Sequence, residues 1–165
     1  MLCPARGGVR ASAGEEAPVA HSLRRALAET RVVLQKADLA YAAHACPASG
    51  ECCQLARRAR EPWLWPTEWH LLLDRLKKDG RALPPARTDG GCPFLDSAGL
   101  RCTVYADRPF GCRTYFCERR VGPSREPAAR VAELLLRLEA VAQRTFPEAQ
   151  GPRPLSEWHA GPLVR

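Results

Sequence analysis

The sequence predicts a small, helix-rich α+β domain in which a short β-hairpin and cysteine-bearing loops surround a metal site. Three observations carry this. Seven of the eight cysteines fall in two groups, Cys46, Cys52 and Cys53, then Cys92, Cys102, Cys112 and Cys117. Three segments repeat apolar residues at helical spacing. Fifteen prolines and twelve glycines interrupt the rest, so connections are long and regular elements short.

In order along the chain, residues 1–20 are small, polar and marked by Gly and Pro, and are expected to be disordered. Cys3 lies there and reads as an incidental thiol. Ser22 is placed to cap a helix over 22–41, whose apolar side is Leu23, Ala26, Leu27, Val33, Leu34 and Ala37. That helix delivers the chain to a turn holding Cys46, Cys52 and Cys53, where Pro47 and Gly50 force a loop. A basic run, Arg57, Arg58 and Arg60, precedes Pro62-Trp63-Leu64-Trp65-Pro66, which suits a short edge strand bracketed by prolines. Trp63, Trp65 and Trp69 read as cover for a small core rather than as a stacking platform.

Thr67 is then expected to cap a helix over 68–78, with Leu71, Leu72 and Leu76 facing inward, Lys77 and Lys78 in the last turn and Gly80 just beyond. Its apolar face should pack on the cysteine region. Residues 92–95 and 100–105 read as the arms of a hairpin joined by Asp96-Ser97-Ala98-Gly99. This pairing would bring Cys92 near Cys102. The segment 106–117, with Pro109 and Gly111, should fold back over the hairpin carrying Cys112 and Cys117. A last helix over 127–144 starts near Pro127, its stripe being Val131, Leu134, Leu135, Leu138 and Val141. The domain proper thus spans 21–145, and 146–165 is a Pro/Gly-rich tail in which Trp158 is free to dock or not.

A chain of 165 residues can bury a modest core without staples, so the cysteines are not needed merely to reach foldable size. No stretch has the apolar core of a secretory leader or the length of a membrane span, so a cytoplasmic protein with no membrane partner is expected. Thiols stay reduced in that compartment, which moves the reading of clustered cysteines from disulfides to metal or redox chemistry. The net charge of +7 rests on Arg, Lys36, Lys77 and Lys78 being the only lysines. Abundant Arg with Ala and Pro can reflect coding bias, so the charge adds little to a nucleic-acid reading.

Thiolate sulfur is a soft donor that selects zinc, copper(I) and iron–sulfur clusters. Four thiolates complete a tetrahedral zinc or one cluster, and no pair has the two-residue knuckle of a zinc ribbon, which weakens the reading as a plain structural zinc finger. Cys46-Pro47 and Cys92-Pro93 lean faintly towards iron–sulfur, since proline follows some cluster ligands. Arg108 and Arg113 flank Cys112 and are placed to donate N–H groups to sulfur and to offset thiolate charge. His44 and His70 read as surface or packing residues.

The vicinal Cys52-Cys53, the Trp65-Pro66-Thr67-Glu68 helix opening, Cys92-Pro93-Phe94-Leu95 and the run from Cys102 through Val104, Tyr105, Arg108, Pro109, Cys112, Arg113 and Tyr115 together resemble the YkgJ-type cysteine-cluster family. That family is described as a zinc- or iron-chelating domain. The resemblance implies metal chelation by Cys46, Cys52, Cys53, Cys92, Cys102, Cys112 and Cys117. One departure stands out: the family's first group carries a further cysteine before the glycine, where this chain has Ser49. The expected function is metal binding, through zinc or an iron–sulfur cluster, with a structural or redox role. The alternative is an enzyme in which the metal assists group transfer or redox chemistry, with a nucleic-acid adaptor a third reading.

Overall fold

The computed structural model describes residues 16–42, 49–58, 61–114 and 128–161. The expectations placed on residues 1–15, His44, Cys46, Arg60, Tyr115, Cys117 and Pro127 lie outside these. Helix α1 runs Glu16–Ala40, a 3-10 turn Glu51–Cys53, α2 Leu55–Arg58, β1 Trp63–Leu64 and α3 Pro66–Lys78. A second 3-10 turn, Tyr105–Asp107, is followed by α4 Phe110–Arg113, α5 Ala128–Thr145, β2 Arg153–Pro154 and α6 Leu155–Ala160. The fold is a small α+β domain dominated by helix.

Helix α1 starts earlier than the sequence suggested, and Ser22 is an exposed position inside it rather than its cap. Pro18 falls in the first turn, where a missing N–H breaks no intrahelical bond, so the helix runs through it. The helical face predicted for α1 is the buried one: Ala26, Leu27, Val33, Leu34 and Ala37 are all inside. Leu27, Val33, Leu34 and Ala37 pack with Leu134, Leu138 and Ala142 of α5. In α5 the stripe is narrower than expected, because Leu135 faces outward at 44% exposure.

Helix α3 is the wall between two apolar clusters. Leu71 faces α1 and α5, whereas Trp69, Leu72 and Leu76 face Cys92, Phe94, Val104, Leu155 and Trp158. The cap is not Thr67, which is buried one residue inside the helix. Glu68 performs that task by accepting the backbone N–H of Trp65 at 2.8 Å. At the other end Gly80, with φ of 66°, lets Gly80 N donate to Lys77 O and Arg81 N to Leu76 O, the paired bonds of a Schellman ending.

The expected strand before α3 is confined to Trp63 and Leu64, and Trp63 is 59% exposed rather than covering the core. Its partner is distant in sequence. Trp63 pairs with Pro154 and Leu64 with Arg153, antiparallel. The stretch after Phe146 therefore contributes a strand and a helix to the packed structure, with Trp158 buried and its indole N–H donating to Leu64 O at 2.9 Å. Trp158 also stacks on Trp69 at 6.2 Å between ring centres.

The hairpin of 92–105 is present in minimal form. A single antiparallel bridge joins Leu95 to Cys102, flanked by Asp96 N to Arg101 O and Thr103 N to Phe94 O, both 2.8 Å. Residues 92–95 otherwise turn, with Leu95 N donating to Cys92 O, and the second arm ends in the 3-10 turn at Tyr105. Two loop arginines clip it: Arg87 donates to Asp96 O and Arg81 to Thr103 O.

Candidate metal centre

The first cysteine group is held by its glycine. Gly50 has φ of 66°, and a Cβ built there would lie 2.4 Å from Gly99 O in the hairpin turn. Only a residue without a side chain lets the two groups approach so closely. From Gly50 the chain winds into the 3-10 turn that carries Cys52 and Cys53, with Cys53 N donating to Gly50 O. Cys92 N then donates to Cys53 O at 2.7 Å, and Ala56 N to Gly90 O at 3.1 Å. Backbone bonds thus zip the vicinal pair to the start of the second group.

Cys112 arrives from the other side. Pro109 opens the single turn of α4, and Phe110 N donates to Glu68 Oε1 at 2.6 Å, fixing that turn on α3. Arg113 locks the loop before it. Its Nε donates to Arg108 O at 2.7 Å, Nη2 to Ala106 O at 2.5 Å, and Nη1 to Asp38 of α1. The partners of this buried guanidinium are oxygens, not thiols. Arg108 is different: it pairs with Asp38 at 3.6 Å, lies 4.0 Å above the Tyr105 ring, and has a buried Nε–H with no partner among the described residues.

All five described cysteines, Cys52, Cys53, Cys92, Cys102 and Cys112, line one cavity of about 230 Å³. Leu55, Leu72, Phe94, Val104 and Leu155 supply apolar wall, and Arg108 with Tyr105 supplies a polar corner. Cys52 Sγ and Cys53 Sγ stand 3.9 Å apart. Among the described residues no three His, Cys, Asp or Glu side chains already enclose a point where an ion would sit. The thiols converge on the cavity without closing it.

Crowding sets their charge. The hydrogen bond with Cys53, burial and the charge of Cys53 push the Cys52 thiol well up, with Arg108 acting against them. For Cys53 the bond with Cys52 acts downward, but the bond with Cys92, burial and the neighbouring Cys92 and Cys102 outweigh it, so its pKa is pushed up to about 12. Burial raises Cys102 and Cys112, and Cys112 is raised further by Cys102, Cys53, Cys52 and the Glu68 carboxylate. Without a cation among them these thiols keep their protons at neutral pH. Glu68 itself is raised to about 7 by burial, against the pull of the Phe110 and Trp65 N–H groups and Arg113.

The site also shows which residues the sequence reading passed over. Asp38 and Glu68 build it without being thiols. Glu68 carried a signal, an acid three residues after Trp65 at the helix opening, but its bond to Phe110 spans the fold. His70 is away from the thiols, stacked on Phe146 at 5.1 Å, and burial lowers its pKa.

A cavity that gathers thiols from a 3-10 turn, a hairpin and a one-turn helix, braced by buried charges, defines a cysteine-cluster domain. The chain belongs to the CxxCxxCC family, whose model matches residues 44–129 and is described as "Putative zinc- or iron-chelating domain". No curated protein and no solved structure matches the chain. Against the family's own pattern the first group reads Cys46, Ser49, Cys52, Cys53, so the second cysteine is a serine here. Ser49 is exposed, and its hydroxyl accepts Glu51 N at 3.5 Å. Among the described residues no helix is long and apolar enough to cross a membrane.

Proposed function

We propose that the cysteine cavity is a metal centre holding a zinc ion or an iron–sulfur cluster in a structural or redox role. Its ligands would be drawn from Cys46, Cys52, Cys53, Cys92, Cys102, Cys112 and Cys117. The observation that carries this is the convergence of all five described cysteines on one cavity.

The donor set fits the group. Soft thiolates suit zinc and iron–sulfur chemistry better than they suit hard cations, for which the described residues of the cavity wall offer no carboxylate. With zinc–sulfur bonds of about 2.3 Å, two sulfurs on one tetrahedral ion lie about 3.8 Å apart. The 3.9 Å between Cys52 and Cys53 supports a shared ion at that edge. Side-chain rotation, or a thiol from Cys46 or Cys117, would complete the set. When bound, the metal would supply positive charge that lets the crowded thiols ionise. Arg108 would add to it, since its charge already favours the thiolates of Cys52 and Cys102. Arg113 would serve by holding the loop that carries Arg108.

Purification without oxygen, followed by elemental analysis and a visible spectrum, tests the proposal. Bound zinc, or iron with sulfide and charge-transfer absorption, is expected. A well-folded, metal-free protein whose cysteines all titrate as free thiols would overturn it.

A further inference from the structure

We propose that the protein has a second binding site, separate from the cysteine cavity, which takes a free aromatic amino acid as its zwitterion, with Arg153 binding the carboxylate and Glu148 the ammonium. This goes beyond the metal-centre reading and does not depend on it.

The site is a cavity of about 410 Å³ between the first turns of α3 and the chain that follows α5. That volume lies within the roughly 300–1,000 Å³ of small-molecule sites. No cysteine lines it; Pro66, Phe146 and Trp158 supply apolar ring surface. Two of these rings are held in advance. Phe146 stacks in parallel on His70, with 5.1 Å between ring centres and 4° between planes. Trp158 stacks on Trp69 and is pinned by its indole bond to Leu64 O. Rings already fixed lose little freedom when another ring packs among them, so the walls favour an aromatic side chain.

The charges decide the rest of the ligand. The Arg153 guanidinium lies 3.9 Å over the Trp158 ring, a contact to its face that leaves the in-plane N–H groups without a partner among the described residues. An arginine held in this way presents its planar fork to a carboxylate. The fork is within reach: the described side-chain nitrogens that are both buried and unpartnered belong to Trp69 and Arg108. Glu148 is the other charge lining the cavity, and it pairs neither with Arg153 nor with any other described residue. It is exposed, which places it at the mouth. His70 adds no charge at pH 7, because burial lowers its pKa. A simple anion would be repelled by Glu148 and a simple cation by Arg153. A ligand carrying both charges satisfies the two groups at once.

The test is calorimetric titration of the full-length protein with L-phenylalanine, L-phenylalaninamide, N-acetyl-L-phenylalanine and L-alanine, which in turn remove nothing, the carboxylate, the ammonium and the ring. L-Phenylalanine should bind about tenfold more tightly than its amide, and Arg153→Met should abolish that preference, the size of one charge-assisted hydrogen bond. Glu148→Gln should narrow the preference for L-phenylalanine over the N-acetyl compound by roughly threefold, the smaller effect of an exposed charge. Bound metal should be unchanged in both variants. Wild-type protein that shows no heat with millimolar L-phenylalanine overturns the proposal, as does one that binds the amide, the N-acetyl compound or L-alanine equally well. A preference for acid over amide that survives Arg153→Met also overturns it. Should that variant not fold, Arg153→Gln is held to the same criterion, and the wild-type ranking of the four compounds decides without any variant.

Discussion

The carboxylate of Glu68 accepts the N–H of Phe110 at 2.6 Å across 42 residues of sequence, while its other oxygen accepts the N–H of Trp65 at 2.8 Å. One buried side chain thus starts α3 and fixes the turn that carries Cys112. Replacing it by alanine would leave two buried donors unmade. Glu68→Ala is expected to lose roughly 2–5 kcal/mol, as read from the denaturation midpoint, and to lower the bound metal content.

The same carboxylate makes stability depend on pH in an unusual direction. Its folded pKa is about 7 against an ordinary 4.5, so the folded state binds the proton more tightly than the unfolded chain. The resulting stabilisation is fully present below pH 4.5 and is lost as pH rises through 7. His70, whose pKa burial lowers, acts oppositely over part of this range, so the comparison must isolate Glu68. Stability of the wild type relative to Glu68→Gln should fall between pH 4.5 and 7, measured by chemical denaturation at several pH values. A flat difference would contradict the assignment.

Glycine supplies a cleaner test of how the two cysteine groups dock. Gly50 and Gly80 have the same φ of 66°, but a Cβ at Gly50 would meet Gly99 O at 2.4 Å, whereas one at Gly80 meets nothing within 4 Å. Gly80→Ala should cost only the backbone strain, about 1 kcal/mol, and leave metal content unchanged. Gly50→Ala adds a collision with backbone and should cost roughly 2–4 kcal/mol while separating Cys52 and Cys53 from the hairpin. Equal losses of stability and metal in the two variants would show that the close approach does not build the site.

These residues show what the sequence could and could not disclose. The helices of 22–41, 68–78 and 127–144 were legible because burying one face requires a repeat of 3.6, and that repeat is local. The hairpin was legible from its turn residues. What escaped depends on contacts that only the fold creates. β1 meets β2 some ninety residues later through Trp63 and Pro154, so nothing near Trp158 announced that it is buried. The cysteine pattern marked thiols of which the fold brings Cys52, Cys53, Cys92, Cys102 and Cys112 to one cavity. It gave no hint that Arg113 would turn to Asp38 and two carbonyls while Arg108 kept an Nε–H with no partner among the described residues, because the two arginines look alike in the sequence.

Proton release offers the most direct check on the electrostatics of the centre. Cys52, Cys53, Cys102 and Cys112 all have pKa values raised in the folded protein, chiefly through hydrogen bonding within the group and burial, and therefore enter metal binding as neutral thiols. Each one that becomes a ligand must give up a proton. Zinc binding to reduced, metal-free protein at pH 7 should thus show a calorimetric enthalpy that changes with the ionisation enthalpy of the buffer, with one proton released per ligating thiol. Affinity should strengthen steeply as pH rises from 6 to 8, about tenfold per unit for each proton released. Cys112→Ser, which removes a raised thiol from α4, should reduce the proton count by one if that thiol ligates, and leave it unchanged if only its neighbours do.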